Sequence, residues 1–255
     1  FSQISSLAYD ADRDYLYAYD RRATGDRVLV FDVASITNGE EAIHVIGQDD
    51  YTTFDKSDID ATFDSDGTGA GGFQMLEYNE NNELLAVSDY NRRRVLFFDM
   101  STITDGEAAV HVLGRSSFSE NGTVFSSAST FKSVSSALFL DADTLLILDR
   151  NRVLFFDIET ITNGEAAYDV LGQRDAFGEK SFFSNISDSA VPNSNSIGEA
   201  EKIVVDEKYQ LLFVAELAAD GSSGSRRVLV YQLDENGKLL DRAVDFLIGV
   251  DDITR

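Results

Sequence analysis

The chain contains 255 residues, of which 43% are hydrophobic and one is a proline, so it has ample material for a folded core. Its 45 acidic and 21 basic residues give a formal net charge of −24, and a field of that sign repels phosphate backbones. We therefore expect no nucleic-acid partner. Cysteine is absent, which excludes disulfides and thiolate chemistry, and no apolar run approaches the roughly 20 residues of a membrane-spanning helix.

A short apolar string headed by arginine recurs along the chain. Its four copies occupy residues 27–32, 94–99, 152–157 and 227–232. Valine, leucine and phenylalanine fill these strings, which is typical of β-strands. Because both alternating faces of a string such as RVLFFD are apolar, we expect sheets that are covered on both faces. The side chains expected to be buried include Val95, Phe97, Val153 and Phe155.

Further strands flank each arginine string. Upstream lies a pair of apolar strands joined by a polar turn, within residues 4–20, 73–89, 137–149 and 202–216. Downstream, an Ile-Thr-Asx-Gly-Glu turn (36–40, 103–107, 161–165) precedes a short strand ending in glycine (45–47, 112–114, 170–172), and the fourth copy keeps weaker counterparts at 235–238 and 246–249. One repeat therefore contains four strands, which predicts an all-β chain with four four-stranded blades of a β-propeller.

We predict one propeller domain over residues 1–255, with blades at approximately 1–50, 70–116, 134–174 and 200–250. Long insertions rich in Ser, Gly, Asn and Asp separate the blades at 49–72, 116–136 and 174–199. Loops of this length usually carry function or are disordered. Both end copies are complete, so we expect apolar faces at Leu29 and Phe31, or at Leu229 and Tyr231, that must meet each other, further blades or another subunit.

The runs DYNRRRVLFFD (89–99) and DRNRVLFFD (149–157) place asparagine, arginine and valine between an acid and an apolar strand, and they resemble the core of NHL repeats. The tails at 112–118 and 170–177 resemble a prokaryotic variety whose blades end in "VLGQ-x-DF". The resemblance covers all four copies. It implies a propeller, usually a ring of six blades, so this chain either closes with fewer blades or forms part of a larger ring.

Acids end the second strand of every copy, and an arginine begins the third. We interpret them as structural ion pairs that close a hairpin inside each blade, because a binding site that is used once need not recur in every repeat. The predicted pairs are Asp20 with Arg27, Asp89 with Arg94, Asp149 with Arg152 and Glu216 with Arg227. His44 and His111 hold matching positions, which Tyr168 takes in the third copy, and we interpret all three as structural strand residues.

The insertions contain the remaining candidate sites. Asp58, Asp60, Asp64 and Asp66 cluster in the first insertion, and carboxylates beside a turn-forming glycine suit Ca²⁺, although their spacing is not that of an EF-hand loop. A solvated acidic loop is the alternative. Asn121 and Asn185 begin Asn-x-Ser/Thr sequons, which are consistent with glycosylation outside the cytoplasm.

We expect a non-catalytic interaction or structural module, extracellular or on the cell surface, that binds a protein through its loops or associates with itself. No nucleophile elbow, phosphate loop, dinucleotide fingerprint or zinc-protease motif occurs in the sequence. The alternative is a calcium-dependent propeller enzyme of the lactonase or lyase type. Such an enzyme requires a non-repeating set of polar residues that meet at one channel mouth, whereas a scaffold carries repeat-equivalent pairs.

Overall fold

The computed structural model describes residues 1–22, 25–52, 75–120, 125–173, 179–183, 196–217, 227–241 and 243–249. These residues form sixteen β-strands, and none of them is helical, so none lies in a helix that could cross a membrane. The chain divides into two compact units. Unit 1 contains Phe1–Thr123 with Ile161–Glu165, and unit 2 contains Val124–Thr160 with Ala166–Arg255.

Unit 1 contains two four-stranded antiparallel sheets, each with its strands in sequence order. Sheet 1 consists of β1 (Gln3–Asp10), β2 (Tyr15–Arg21), β3 (Arg27–Asp32) and β4 (His44–Ile46). Sheet 2 consists of β5 (Leu76–Asn79), β6 (Leu84–Asp89), β7 (Arg94–Asp99) and β8 (His111–Leu113). In both, the arginine string is the third strand, as its apolar character predicts.

Unit 2 repeats this arrangement. Sheet 3 consists of β9 (Val134–Phe139), β10 (Thr144–Asp149), β11 (Val153–Asp157) and β12 (Asp169–Leu171). Sheet 4 consists of β13 (Ala200–Asp206), β14 (Leu211–Glu216), β15 (Val228–Gln232) and β16 (Phe246–Ile248). The prediction of an all-β chain with four four-stranded sheets is confirmed.

The core of unit 1 lies between its two sheets. Tyr17, Val28 and Val30 of sheet 1 pack in one buried cluster with Leu96 and Phe98 of sheet 2. Alternate residues of a strand point to opposite faces, so Leu29 and Phe31, the equivalents of Leu96 and Phe98, belong to the other face of sheet 1. Sheet 1 thus packs on sheet 2 through one face, while its other face carries a separate cluster.

The core of unit 2 is built from the same strand positions. Val153 and Phe155 of sheet 3 pack in one cluster with Leu229 and Tyr231 of sheet 4. The predicted burial of the strand core is confirmed, since Val95, Phe97 and Val153 are fully buried and Phe155 is 4% exposed. Burying such a side chain stabilises the fold by about 1.5–3 kcal/mol.

The expectation for the terminal faces is wrong for Leu229 and Tyr231, which are buried because they face sheet 3. Leu29 and Phe31 do lie on the face of sheet 1 that is turned away from sheet 2, but they are only 5% and 8% exposed. The ring of Phe1 lies 5.4 Å from that of Phe31 and shields it. The expectation that both faces of every sheet are covered also fails in sheet 4. The exposed apolar residues on the opposite face of that sheet are Val204, Phe246 and Ile248.

Candidate functional site

The insertions and the acid–arginine pairs lie at the same edge of the sheets within each unit. The second strand ends there, the third begins there, and the first strand starts beside them, since Gln3 pairs with Arg21. The insertions leave from the end of a fourth strand and return to the start of the next first strand, so they emerge at this edge too. We call it the insertion edge, and the opposite edge the hairpin edge.

Each predicted acid–arginine pair forms within one sheet. The distances from arginine nitrogen to carboxylate oxygen are 3.1 Å for Arg27–Asp20, 2.8 Å for Arg94–Asp89, 2.7 Å for Arg152–Asp149 and 2.5 Å for Arg227–Glu216. All eight residues are less than 9% exposed. Each arginine thus lies beside the acid of its own sheet, and the paired charges are shielded from solvent.

The acids also bind the start of the first strand. Asp20 accepts a hydrogen bond from the Ser2 N–H at 2.6 Å, and Asp149 accepts from Lys132 N–H and Ser133 N–H at 2.9 and 2.6 Å. Burial alone would raise the pKa of Asp20, but Ser2, Arg22 and Arg27 outweigh it and hold that pKa below its ordinary value. The acid therefore stays charged and ties the first strand to the third.

The arginines bind the insertions. Arg27 Nη1 donates to the carbonyl of Tyr51 at 2.7 Å, and Arg94 Nη1 donates to the carbonyl of Phe118 at 2.7 Å. In unit 2, Arg152 donates to the carbonyls of Phe182 at 2.5 Å and Thr130 at 2.8 Å. A guanidinium that donates both to a carboxylate and to a backbone carbonyl ties the insertion to the ion pair of its blade.

A second support of the insertion edge was missed by sequence reasoning. The residue after the glycine of the fourth strand reaches back to the turn before the third strand. Gln48 Nε2 donates to Asp26 O at 3.2 Å, Arg115 Nε to Arg92 O at 2.8 Å and Gln173 Nε2 to Asn151 O at 2.8 Å. The recurring Gly-Gln or Gly-Arg tail was the available signal, because each of its three residues carries a long side chain that ends in an N–H donor.

Asp26 breaks the repeat and was also missed. It stands where the second copy has Arg93 and the third has Asn151, and it is 2% exposed. Its carboxylate accepts from Arg22 N–H at 2.7 Å and from the Tyr19 hydroxyl at 3.1 Å. Burial raises the pKa of Asp26 despite these bonds, and the charge of Asp89 adds to the rise. One such acid, already held by two donors, does not make a non-repeating catalytic set.

The matching strand residues have local contacts. His44 Nδ1 lies 3.2 Å from Asp105 Oδ1, at the contact between sheet 1 and the turn of the second copy. The backbone carbonyl of Tyr168 accepts a hydrogen bond from Lys180 Nζ at 3.2 Å. No group of three or more potential metal ligands occurs among the residues that the structure describes. The calcium candidates Asp58, Asp60, Asp64 and Asp66 and the sequon residues Asn121 and Asn185 lie outside those residues and stay predictions.

Unit 2 has a cleft of about 260 Å³ at its hairpin edge, lined by Leu140, Phe155, Tyr168 and the fourth-copy turn at Asn236 and Gly237. That turn is closed locally, since Asp234 Oδ1 accepts from Asn236 N–H at 2.8 Å and Lys238 N–H at 2.9 Å. It has lost the Thr-Asx-Gly-Glu pattern of the other copies, and the cleft is the space beside it.

No protein-family model matches the chain, and no curated protein matches it in sequence. Among solved structures, the chain is similar to the WD40 domain of coronin from Toxoplasma gondii, with a TM-score of 0.51, 11% identity and coverage of 98% of this chain and 46% of that one. It is equally similar to a functionally unknown protein from Desulfotomaculum acetoxidans, with a TM-score of 0.51, 9% identity and coverage of 98% and 57%.

At such identities the likeness concerns the fold alone. The four four-stranded sheets and the likeness to a WD40 domain define the class as β-propeller. The chain spans about half the length of the structures it matches. The resemblance to NHL repeats rests on the sequence motifs.

Proposed function

We propose that this protein is a non-catalytic protein-interaction module that binds its partner through the insertions. The observation that carries the proposal is the set of buried arginines that hold the insertions. Three repeat-equivalent guanidinium groups donate to insertion carbonyls at Tyr51, Phe118 and Phe182. Loops on a rigid scaffold are the usual carriers of recognition, and anchoring their bases lowers the entropy that binding must overcome.

The proposed partner is a protein with a basic surface, because the chain carries a net charge of −24 and would steer such a partner toward it. The proposal includes a location outside the cytoplasm, which the sequons at Asn121 and Asn185 support. Mass spectrometry of protein purified from its source tests that part. Unmodified Asn121 and Asn185 would remove the support for it.

Site-specific photo-crosslinking tests the binding surface. A benzoylphenylalanine placed at Ser119 lies in an insertion, and one placed at Asn81 lies on the turn between β5 and β6, at the hairpin edge of the same sheet. Both positions are exposed. The probe is the secreted and cell-surface protein fraction of the source organism. We expect a discrete adduct from the Ser119 position, weakened by high salt, and none from the Asn81 position.

Equal labelling from both positions, or labelling from Asn81 alone, would contradict binding through the insertions. A variant that replaces Arg94 by Gln keeps hydrogen-bond donors but loses the charge and the fork that reaches Asp89 and Phe118. We expect this variant to weaken the Ser119 adduct, because the base of that insertion is less well held.

Calcium is a further part of the proposal. If Asp58, Asp60, Asp64 and Asp66 bind Ca²⁺, the ion would neutralise part of the acidic first insertion and shape it for recognition. Calorimetric titration of calcium into chelator-treated protein should then release heat, and Asp66→Ala should abolish it. The absence of heat at millimolar calcium would end this idea while leaving the interaction function intact.

A further inference from the structure

Successive blades in unit 1 are joined by a specific backbone contact. The Thr-Asx-Gly-Glu turn of the second copy lies on β4: Asp105 Oδ1 accepts from Val45 N–H at 3.0 Å, and Gly106 N–H donates to Val45 O at 3.3 Å. The N–H and C=O of one residue on the outermost strand are thus both satisfied. The turn thereby covers a sheet edge that would otherwise offer unpaired groups.

The contact repeats one blade further along. Asn163 Oδ1 accepts from Val112 N–H at 3.0 Å, and Gly164 N–H donates to Val112 O at 2.9 Å. Val45 and Val112 hold the same register, opposite Leu29 and Leu96 of the neighbouring strand. Two independent copies of the same geometry define a joint, made of an Asx-Gly turn and the middle residue of a fourth strand.

The turn of the first copy has the same conformation, and within the described part of the chain no strand is hydrogen-bonded to its Asn38 or Gly39. Glu40 accepts a hydrogen bond from Thr37 N–H at 2.9 Å, just as Glu165 accepts one from Thr162 N–H. The φ angle of Gly39 is 84°, close to the 75° of Gly106 and the 72° of Gly164 in the docked turns. A Cβ added at Gly39 would meet nothing within 4 Å.

The apolar residues around this turn are uncovered in the same way. Ile36 is 71% exposed, whereas its equivalent Ile161 is 9% exposed and Ile103 packs against the core of unit 1. A cleft of about 440 Å³ lies beside Phe31 and Tyr51, on the face of sheet 1 that is turned away from sheet 2. We call the turn that contains Ile36, Asn38 and Gly39 the free turn.

The strand β16 has the geometry of the other half of this joint. Leu247 lies opposite Leu229 in the register that Val45 and Val112 hold, so its N–H and C=O face away from β15. Phe246 and Ile248 are 57% and 53% exposed, whereas Ile46, the equivalent of Ile248, is fully buried beneath the next turn. Among the described residues, the turn at Asn38 and Gly39 and the strand β16 are therefore both exposed, and they have the geometry of the two halves of this contact.

We propose that the free turn binds β16 of a second copy of this chain, head to tail. Asn38 Oδ1 accepts from Leu247 N–H, and Gly39 N–H donates to Leu247 O. The flanking Ile36 and Phe31 cover Phe246 and Ile248. Because the two surfaces differ, the contact is heterologous and builds a closed ring or an open chain of copies. Each copy carries a net charge of −24, so association strengthens as salt screens the repulsion.

Cysteine cross-linking tests the contact, because the natural chain contains no cysteine. Phe246 is equivalent to His44, whose ring lies 3.2 Å from Asp105, the equivalent of Asn38. Single variants Asn38→Cys and Phe246→Cys are mixed and treated with a short bismaleimide. We expect a mixed dimer whose linked peptides contain residues 38 and 246. The matched control pairs Asn38→Cys with Tyr209→Cys, a 64% exposed position on the turn after β13, and should give no such dimer.

Light scattering on the unmodified chain should give a mass above the monomer's 28.1 kDa that rises with protein and salt concentration. Ile248→Asp should return it to the monomer while leaving the circular dichroism spectrum unchanged. A stable monomer at high concentration overturns the proposal, as does equal cross-linking in the control pair. The double variant Asn38→Cys/Phe246→Cys also tests the proposal: a cross-link between residues 38 and 246 of the same molecule at high dilution would overturn it. None of these results bears on photo-crosslinking from Ser119.

Discussion

Sheet 2 and sheet 4 carry nearly the same third strand but differ in how it is covered. In sheet 2, Val95, Leu96, Phe97 and Phe98 are all fully buried, so both faces are covered. In sheet 4, burial alternates along β14, and the face that carries Val204 and Phe246 is about half exposed. An apolar string thus indicates that a face is suited to packing, whereas its burial depends on which sheet and which turn pack on it.

The docked turn at Asn163 and Gly164 accounts for part of this difference. It covers β8, whose Val112 and Leu113 are fully buried, whereas β16 has no such cover on Phe246 and Ile248. Four expected outcomes test whether that cover, rather than strand composition, decides stability.

The largest difference is expected for one substitution made in both sheets. Phe97 is fully buried and Phe246 is 57% exposed. Phe97→Ala should lower the free energy of unfolding by about 3–5 kcal/mol, because it leaves a cavity in a closed core. Phe246→Ala should lower it by about 0.5 kcal/mol or less. Urea unfolding at low protein concentration measures both, and equal losses would mean that both faces are covered alike.

The ion pairs provide the next comparison. Asp89 and Arg94 are fully buried or nearly so, whereas the side chains of Arg150 and Glu199 in unit 2 are 40% and 37% exposed. Asp89→Ala strands a buried guanidinium and should lower stability by about 3 kcal/mol. Glu199→Ala should lower it by about 0.5 kcal/mol, since surface pairs contribute little. A small loss for Asp89→Ala would contradict the structural role of the pair.

Glycine substitutions compare a docked turn with the free one. Gly39→Ala and Gly164→Ala both introduce a side chain at positive φ, so that cost is shared. A Cβ at Gly164 would also lie 2.7 Å from the Cα of Ser116, whereas one at Gly39 meets nothing. Gly164→Ala should therefore cost about 1–3 kcal/mol more than Gly39→Ala, as overpacking does. The midpoint temperatures of thermal unfolding of the two variants measure this difference. Equal decreases would mean that the docked turn accommodates the added Cβ without strain.

The smallest effect concerns the glutamates that close the turns. Hydrogen bonds from Thr37 lower the pKa of Glu40, whereas burial raises the pKa of Glu107 in the docked turn. The contribution of Glu40 to stability is therefore present above its ordinary pKa and is lost as the pH falls through the lowered pKa of the folded protein. The contribution of Glu107 is present below its ordinary pKa and is lost as the pH rises through its raised value.

Carboxyl carbon chemical shifts measured by NMR should place the midpoint of Glu40 below 4.5 and that of Glu107 above it. Glu107→Gln should remove the second pH dependence of stability without changing the first. Coincident midpoints would show that docking does not desolvate the turn.

Much of the insertion edge could be predicted because its pairs repeat. Asp20 and Arg27, for example, recur at matching positions in every copy, and pairing inside a hairpin follows from strand order. The carbonyl that each arginine binds could not be predicted. Arg94 reaches Phe118, which is 24 residues away, and a backbone carbonyl leaves no trace in residue type. Asp26 was visible as a break in the repeat, but only packing shows that it is buried.

The all-β class, the four strands of each copy and the ion pairs can be read from the residue pattern, because they depend on alternation, turn chemistry and repetition along the chain. Which face of each sheet is covered becomes visible only in the folded chain. Leu29 and Leu96 stand in matching strings, yet Leu96 packs in the core between sheets 1 and 2, whereas Leu29 packs in a separate small cluster with Phe31 and Val45. The physical reason is that hydrophobic burial has no direction, so an apolar side chain does not specify its neighbour. The backbone groups at a strand edge are also the same in every copy, so the copies differ only in what packs against them.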